Sequence, residues 1–187
     1  MPVSTIDQKP ALVVIDLQKG IAGLPAVHPM EEIVENSARL AALFREHGLP
    51  VVLVNATGGA PGRTQAPLRT TGAFPPDFAD LLPELDVQPS DVLVSKTRWG
   101  AFTGTTLHDT LQEHGVTQVL VTGVATQAGV ESTARSAHEL GYHVVVVTDA
   151  VTSSDAEAHD NSVQRIFPRL GETGTTGEVL ELLVKTR

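Results

Sequence analysis

Five short apolar, β-branched runs recur along the chain: ALVVID (11–16), PVVLVN (50–55), DVLVSK (91–96), TQVLVTG (117–123) and YHVVVVTDA (142–150). Each is nearly continuous rather than alternating. A strand that is apolar on both of its sides has to be covered on both faces, which is the condition inside a parallel sheet. The segments between these runs carry helical spacing instead. Residues 31–48 place Ile33, Val34, Leu40, Leu43 and Phe44 on one side and end at Gly48, a helix-stop signal. Stretches 105–115 and 127–141 also end in glycine, and the tail TTGEVLELLVKTR gives one more amphipathic helix. Strand and helix alternating in this way predict an α/β fold: a doubly wound, Rossmann-like parallel sheet with helices on both faces. The 187 residues fit a single domain, 1–187, with no linker. One long irregular stretch, 55–76, interrupts the pattern, and loops of that length in compact domains tend to be functional or disordered.

Composition narrows the function classes. A formal net charge of -9 argues against a nucleic-acid partner held through phosphates. No apolar run reaches the ~18 residues needed to span a bilayer, which speaks against a membrane partner. The N-terminal MPVSTIDQKPALVVID has no basic region ahead of a long apolar stretch, so a cytoplasmic location is the expectation. The chain contains no cysteine, which excludes disulfides, thiolate metal sites and thiol nucleophiles. No internal repeat or low-complexity segment is present.

In open α/β sheets, ligands bind at the carboxyl ends of the strands. The first run ends in Asp16, the second in Asn55, the third in Lys96 and the fifth in Thr148 and Asp149. Asp16 reads either as a partly buried carboxylate poised for proton transfer or as a loop-anchoring carboxylate. Gln18 stands where a phosphoaspartate enzyme with a paired D-x-D would carry its second acid. Lys96 reads either as a cation beside Asp16 that stabilises developing negative charge or as a lysine snorkelling at the sheet rim.

The fourth run leads into GVATQAGVESTAR (123–135), which has the look of a strand end, a sharp turn and a helix start. Thr126 is the expected N-cap, which would leave Gln127, Ala128 and Gly129 as first-turn residues with N–H groups free for an anion or oxyanion. Gly129 either admits a ligand or only allows tight helix–strand packing. The spacing matches no dinucleotide-binding glycine motif. The 55–76 loop holds Arg63, Gln65 and Arg69 and no acid, which suggests an anionic small-molecule substrate; the alternative is a solvated loop with scattered cations. The seven histidines show no metal-ligand spacing and read as surface or capping residues. Ser132, Thr133 and Ser154 have no triad-like arrangement.

Taken together, these pieces resemble the isochorismatase-like hydrolases, the cysteine hydrolase superfamily. ALVVIDLQKG resembles the strand with that family's catalytic aspartate, here Asp16. SKTRWGAFTGTTLHDTL is similar to its lysine strand, here Lys96, and QVLVTGVATQAGVESTARSAHELGYHVVVVTDA to its most diagnostic stretch. The similarity runs from about residue 10 to about 180. It implies a sheet of about six parallel strands, a homo-oligomer, no cofactor, and a cis peptide at Val124–Ala125. Ala125 and Thr126 would then stand beside the substrate.

In the amidases of this family, such as nicotinamidases and carbamoyl hydrolases, a cysteine nucleophile stands where Gly129 stands here, and the metal-binding aspartate and histidines of nicotinamidases would fall in NATGGAPG (55–62), which offers none. True isochorismatases resemble this chain in pairing the aspartate and lysine with a glycine. By that resemblance Asp16 protonates the methylene carbon of a vinyl ether and water adds to the resulting cation. Lys96 would hold an oxygen or orient Asp16, and Gln18, Arg63, Gln65 and Arg69 would contact the substrate. Asp16 is followed by DLQKGI rather than the D-M-Q-x-Y-F of isochorismatases, so Trp99 and Phe102 become the candidates for an aromatic wall. Lys96 would lower the pKa of Asp16, whereas a general acid needs it raised, so burial has to outweigh the lysine. Two further readings stay open: a family member without a nucleophile serving as a binding or structural protein, and an amide hydrolase using water directly with Asp16 as base.

Overall fold

The computed structural model describes residues 2–65 and 73–186. In chain order the elements are β1 (Pro10–Ile15), α1 (Lys19–Ala22), α2 (Met30–Glu46), β2 (Val51–Ala56), β3 (Val92–Lys96), α3 (Leu107–Glu113), β4 (Gln118–Val124), α4 (Glu131–Glu139), β5 (His143–Thr152), α5 (Ala156–Asn161), α6 (Phe167–Leu170), β6 (Glu172–Gly174) and α7 (Thr176–Lys185). Each of the five apolar runs forms a strand, displaced by two residues at most from the pattern-based limits. The expected helix over 127–141 divides. A wide π-type turn, Thr126–Val130, leads into α4.

The strands form one six-stranded sheet in the order β3-β2-β1-β4-β5-β6. Every pairing is parallel. β1 and β4 are buried at every residue, which explains why their sequences do not alternate. Side chains leave the sheet in two directions and build two cores. Val13, Ile15, Val52, Val119 and Val121 meet Leu107, Leu111, Ala134 and Phe167 on one face. Leu12, Val14, Leu53 and Leu120 meet Ile33, Leu40, Phe44, Val179 and Leu183 on the other. These are the two helix-covered faces of a doubly wound sheet. Part of the edge strand lacks such cover, since Leu93 of β3 is exposed.

The strand order reverses direction between β1 and β4, and this switch point opens a crevice at their carboxyl ends. Two backbone features bring the strand ends close. Asp16 adopts a left-handed conformation with φ 54, which turns the chain sharply out of the sheet. Gly123 has φ 107, and a Cβ placed there would fall on the carbonyl oxygen of Ile15. The peptide bond between Val124 and Ala125 is cis.

Gly123→Ala should therefore cost about 2–5 kcal/mol, combining a disfavoured φ with overpacking against β1. Urea denaturation of wild type and variant measures it. A loss under about 1 kcal/mol would show that the two strand ends separate freely.

Candidate active site

Three segments converge at the switch point. β1 ends in Ile15, and Asp16 follows it. β3 ends in Lys96, whose side chain reaches across the end of β2, where Ala56 is its register partner. The turn after β4 brings Gly129. Lys96 Nζ lies 2.7 Å from Asp16 Oδ2, and both side chains are buried. An ideal Cβ on Gly129 would sit 3.2 Å from the same Oδ2 and 3.2 Å from the Val124 carbonyl oxygen. A side chain at position 129 would thus project onto the acid–lysine pair. With glycine there, the backbone alone faces it.

The two carboxylate oxygens of Asp16 are not equivalent. Oδ2 takes the lysine, whereas Oδ1 is buried and has no hydrogen-bond partner among the described residues. Burial raises the Asp16 pKa to about 6, against the opposing charge and hydrogen bond of Lys96. Desolvation is the larger cause, so the conflict between burial and lysine resolves toward the protonated form.

Neighbouring side chains hold this arrangement. The Thr133 hydroxyl donates to the Gly129 carbonyl at 2.7 Å and accepts from the Ala101 N–H at 3.1 Å, tying the segment after β3 to the turn. Asn55 donates to the Ala79 carbonyl at 2.8 Å, and Lys19 pairs with Asp80 at 3.0 Å. These contacts fasten the strap around residues 78–82 to the ends of β1 and β2.

Several sequence-based site residues take other places. Gln18 is fully buried. Its amide donates to the carbonyls of Ala56 and Phe78 and accepts from the Ala56 N–H. All three of these bonds go to backbone, so Gln18 clamps the strap instead of facing a ligand. Phe102 lies in the core, its ring 5.9 Å from that of Tyr142, and builds no wall over the site. Trp99 is 65% exposed. Thr126 is not the N-cap, because Ala125 holds that position and accepts from Ala128 N and Val130 N. Thr126 is instead buried, with its hydroxyl 2.8 Å from Nδ1 of His159. The Ala128 N–H donates to the Ala125 carbonyl at 3.0 Å and is not free for an oxyanion. Arg63 and Gln65 are exposed on the loop after β2. Arg69 lies outside the described residues.

The spacing of the histidines gives no sign of His159. It is a buried histidine, not the surface residue expected, and only its fold position reveals it. Among the described residues no cluster of three or more His, Cys, Asp or Glu stands ready for a metal ion. Two surface clefts, of about 640 and 480 Å³, lie elsewhere, one along α2 and one at the opposite end of the sheet near Gln118 and Tyr142. Neither is lined by Asp16, Lys96 or Gly129.

Fold and site together describe a doubly wound α/β protein with a buried carboxyl–lysine pair at its switch point. Residues 10–178 match the isochorismatase domain, and the chain belongs to that family of hydrolases. It is 41% identical over 180 residues to an uncharacterized isochorismatase family protein, YwoC, of Bacillus subtilis, covering 93% of this chain and 94% of that one. It is 31% identical over 169 residues to the ureidoacrylate amidohydrolase RutB of Variovorax paradoxus, covering 75% and 67%. The structure of an isochorismatase family protein from Burkholderia thailandensis superposes with a TM-score of 0.92 at 40% identity, over 96% of this chain and 98% of that one. Proteins of this family act on small-molecule substrates, and no described helix is long and apolar enough to cross a membrane.

The carboxyl carbon of Asp16, followed by ¹³C NMR, should titrate with a midpoint of about 6. Lys96→Met removes a charge and a hydrogen bond that both lower this value, so the midpoint should move higher still. A wild-type midpoint near 3.8, the ordinary carboxylate value, would show that water reaches the group. A folded-state pKa above the unfolded one makes the folded chain less stable as pH rises from 3.8 to about 6.

Proposed function

We propose that this hydrolase cleaves the vinyl ether of a small anionic substrate of isochorismate type, with Asp16 as general acid and without a nucleophilic side chain. The observation that carries the reading is the carboxyl of Asp16, whose pKa is raised to about 6 and whose Oδ1 is unpaired beside a residue with no side chain. Lys96 occupies Oδ2, so Oδ1 is the oxygen that holds the proton. In the reaction, that proton passes to the methylene carbon, a C–H bond forms, and the alkene electrons leave an oxocarbenium ion. Water adds to this cation and its surplus proton returns to Asp16. The hemiketal then breaks its ether C–O bond, releasing a 2-oxo acid and the alcohol. No thiol is required, in keeping with a chain that has no cysteine. Arg63 and Gln65, with Arg69, are in this reading the groups that meet the substrate's carboxylates.

A second reading is a binding protein without turnover. The burial of the pair favours it, since Asp16 is only 6% and Lys96 only 3% exposed. The amidohydrolase activity printed for the Variovorax relative belongs to that protein; here, a thiol-based amide cleavage has no group to perform it.

The deciding assay is pyruvate release from isochorismate by the purified protein. Wild type should turn over, with kcat/KM falling as pH rises above about 6, because the acid form is then lost. Asp16→Asn should lower the rate by about 10²–10⁴-fold, the usual contribution of a general acid. Gly129→Ala, whose Cβ would stand 3.2 Å from Oδ2, should lower it by about tenfold or more with the fold retained. No release from well-folded wild type overturns the vinyl-ether assignment and leaves the binding role.

A further inference from the structure

The turn that carries Gly129 has two side-chain tethers. Thr133 holds its far end through the Gly129 carbonyl. Thr126 holds its near end through His159, which sits on α5 and comes from a different part of the chain. Thr126 is fully buried and His159 nearly so. Among the described residues, the Thr126 hydroxyl makes no other hydrogen bond.

That isolation fixes the direction of the bond. A buried hydroxyl proton without an acceptor is costly, so the hydroxyl donates and Nδ1 accepts. The imidazole is then neutral, with its proton on Nε2. Protonation would place a hydrogen on Nδ1, reverse the bond and strand the threonine proton in a dry site. Thr126 follows directly on Ala125, whose carbonyl accepts the first two N–H bonds of the turn, from Ala128 and Val130. A disturbance at Thr126 is therefore delivered to the backbone that faces Asp16.

The charged neighbours act on the histidine in opposite ways. His28, in the loop before α2, meets the His159 ring edge-on at 5.0 Å, and its charge disfavours a second cation. Asp160 on the same helix favours one. Burial is the largest influence and lowers the pKa of His159. Glu131 of α4, which packs nearby, is engaged by Arg135 and by the Ser162 hydroxyl.

We propose that His159 is a positioning residue for the site: its neutral ring accepts the Thr126 hydroxyl and holds the 125–130 turn against the end of β1, and its protonation releases that hold. The proposal concerns the geometry of the turn and stands whichever substrate the site takes. It couples a histidine that touches no reacting group to the backbone beside Asp16.

The test is an NMR titration that needs no turnover. At pH 8 the ring nitrogens of His159 should show the Nε2–H form with Nδ1 accepting. As pH falls, the backbone amides of Thr126 to Val130 should shift with the same midpoint as the His159 ring. Asp16 also titrates close by, so the experiment is repeated in Asp16→Asn, where the turn amides should still follow His159. In Thr126→Val the His159 ring should titrate while the turn amides no longer track it, and Thr126→Ser should restore the tracking. His28→Gln should raise the His159 midpoint, because it removes a charge that lowers it. The proposal is overturned by an Nδ1–H ring at pH 8, or by turn amides that stay flat through the His159 titration in both wild type and Asp16→Asn. Thr126→Ser and His28→Gln are mild substitutions that keep the test decisive if Thr126→Val does not fold.

Discussion

The contact between Lys96 and Asp16 sets the terms for the surrounding structure. Removing two charged groups from water costs several kcal/mol per ion, and their attraction repays this only when the geometry is tight. Here one bond of 2.7 Å joins them, and the second carboxylate oxygen is left without a partner. A pair this poorly satisfied contributes little to stability. It persists in a matrix that is rigid for other reasons, and the end of the sheet supplies one. Lys96 continues the regular pairing of β3 with β2, so its backbone is fixed before its side chain reaches across. Asp16 is fixed by its own N–H on the Val54 carbonyl.

The position of the pair follows from the strand order. With β1 and β4 adjacent and their helices departing to opposite faces, the crevice between their ends is where the segments after β1 and β4 and the end of β3 meet. Close approach there needs residues without bulk. Gly123 lets the end of β4 touch Ile15, and Gly129 lets the following turn approach Asp16. The two glycines differ in kind. A Cβ at Gly123 collides with backbone, which cannot yield. One at Gly129 meets a methyl, a carboxylate oxygen and a carbonyl oxygen at 3.0–3.2 Å, where a few tenths of an ångström of relaxation suffice. A side chain at position 129 would thus be tight but not forbidden, and it would press directly on the Asp16 carboxylate.

The sheet was legible because strands buried on both faces write an unmistakable pattern, and because the residues at their carboxyl ends could be read off directly. Asp16 and Lys96 came from that reasoning, and the structure brings them together. The segment 153–174 was opaque by contrast. It is polar, its helices are short, and β6 has only three residues, so no periodicity accumulates. His159 lies in that segment, and its importance rests on a contact with Thr126 that spans 33 residues. Thr126 itself was misplaced because a threonine before a helix usually caps it, whereas here a tertiary partner claims the hydroxyl. Gln18 and Phe102 show the same limit. Residue type suggested ligand contact, but buried backbone groups claimed the amide and the core claimed the ring.

What remains is the choice between an acid and a base at Asp16, and the glycine at 129 bears on it. An ionised aspartate next to a thiol has an obvious use, since it can take the thiol proton. Without a thiol, an ionised carboxylate in that position would have only water to act on. A carboxyl with a pKa of about 6 is still protonated in roughly a tenth of molecules at pH 7. Keeping the acid form available therefore costs about 1.4 kcal/mol there, where an ordinary aspartate would need three times as much. On the proposed vinyl-ether reading, burial makes protonation of carbon accessible and leaves the conjugate base able to take a proton back from the attacking water. In that reading a single group with a pKa of about 6 would serve both steps, and Lys96, whose charge and hydrogen bond lower the value, opposes its further rise.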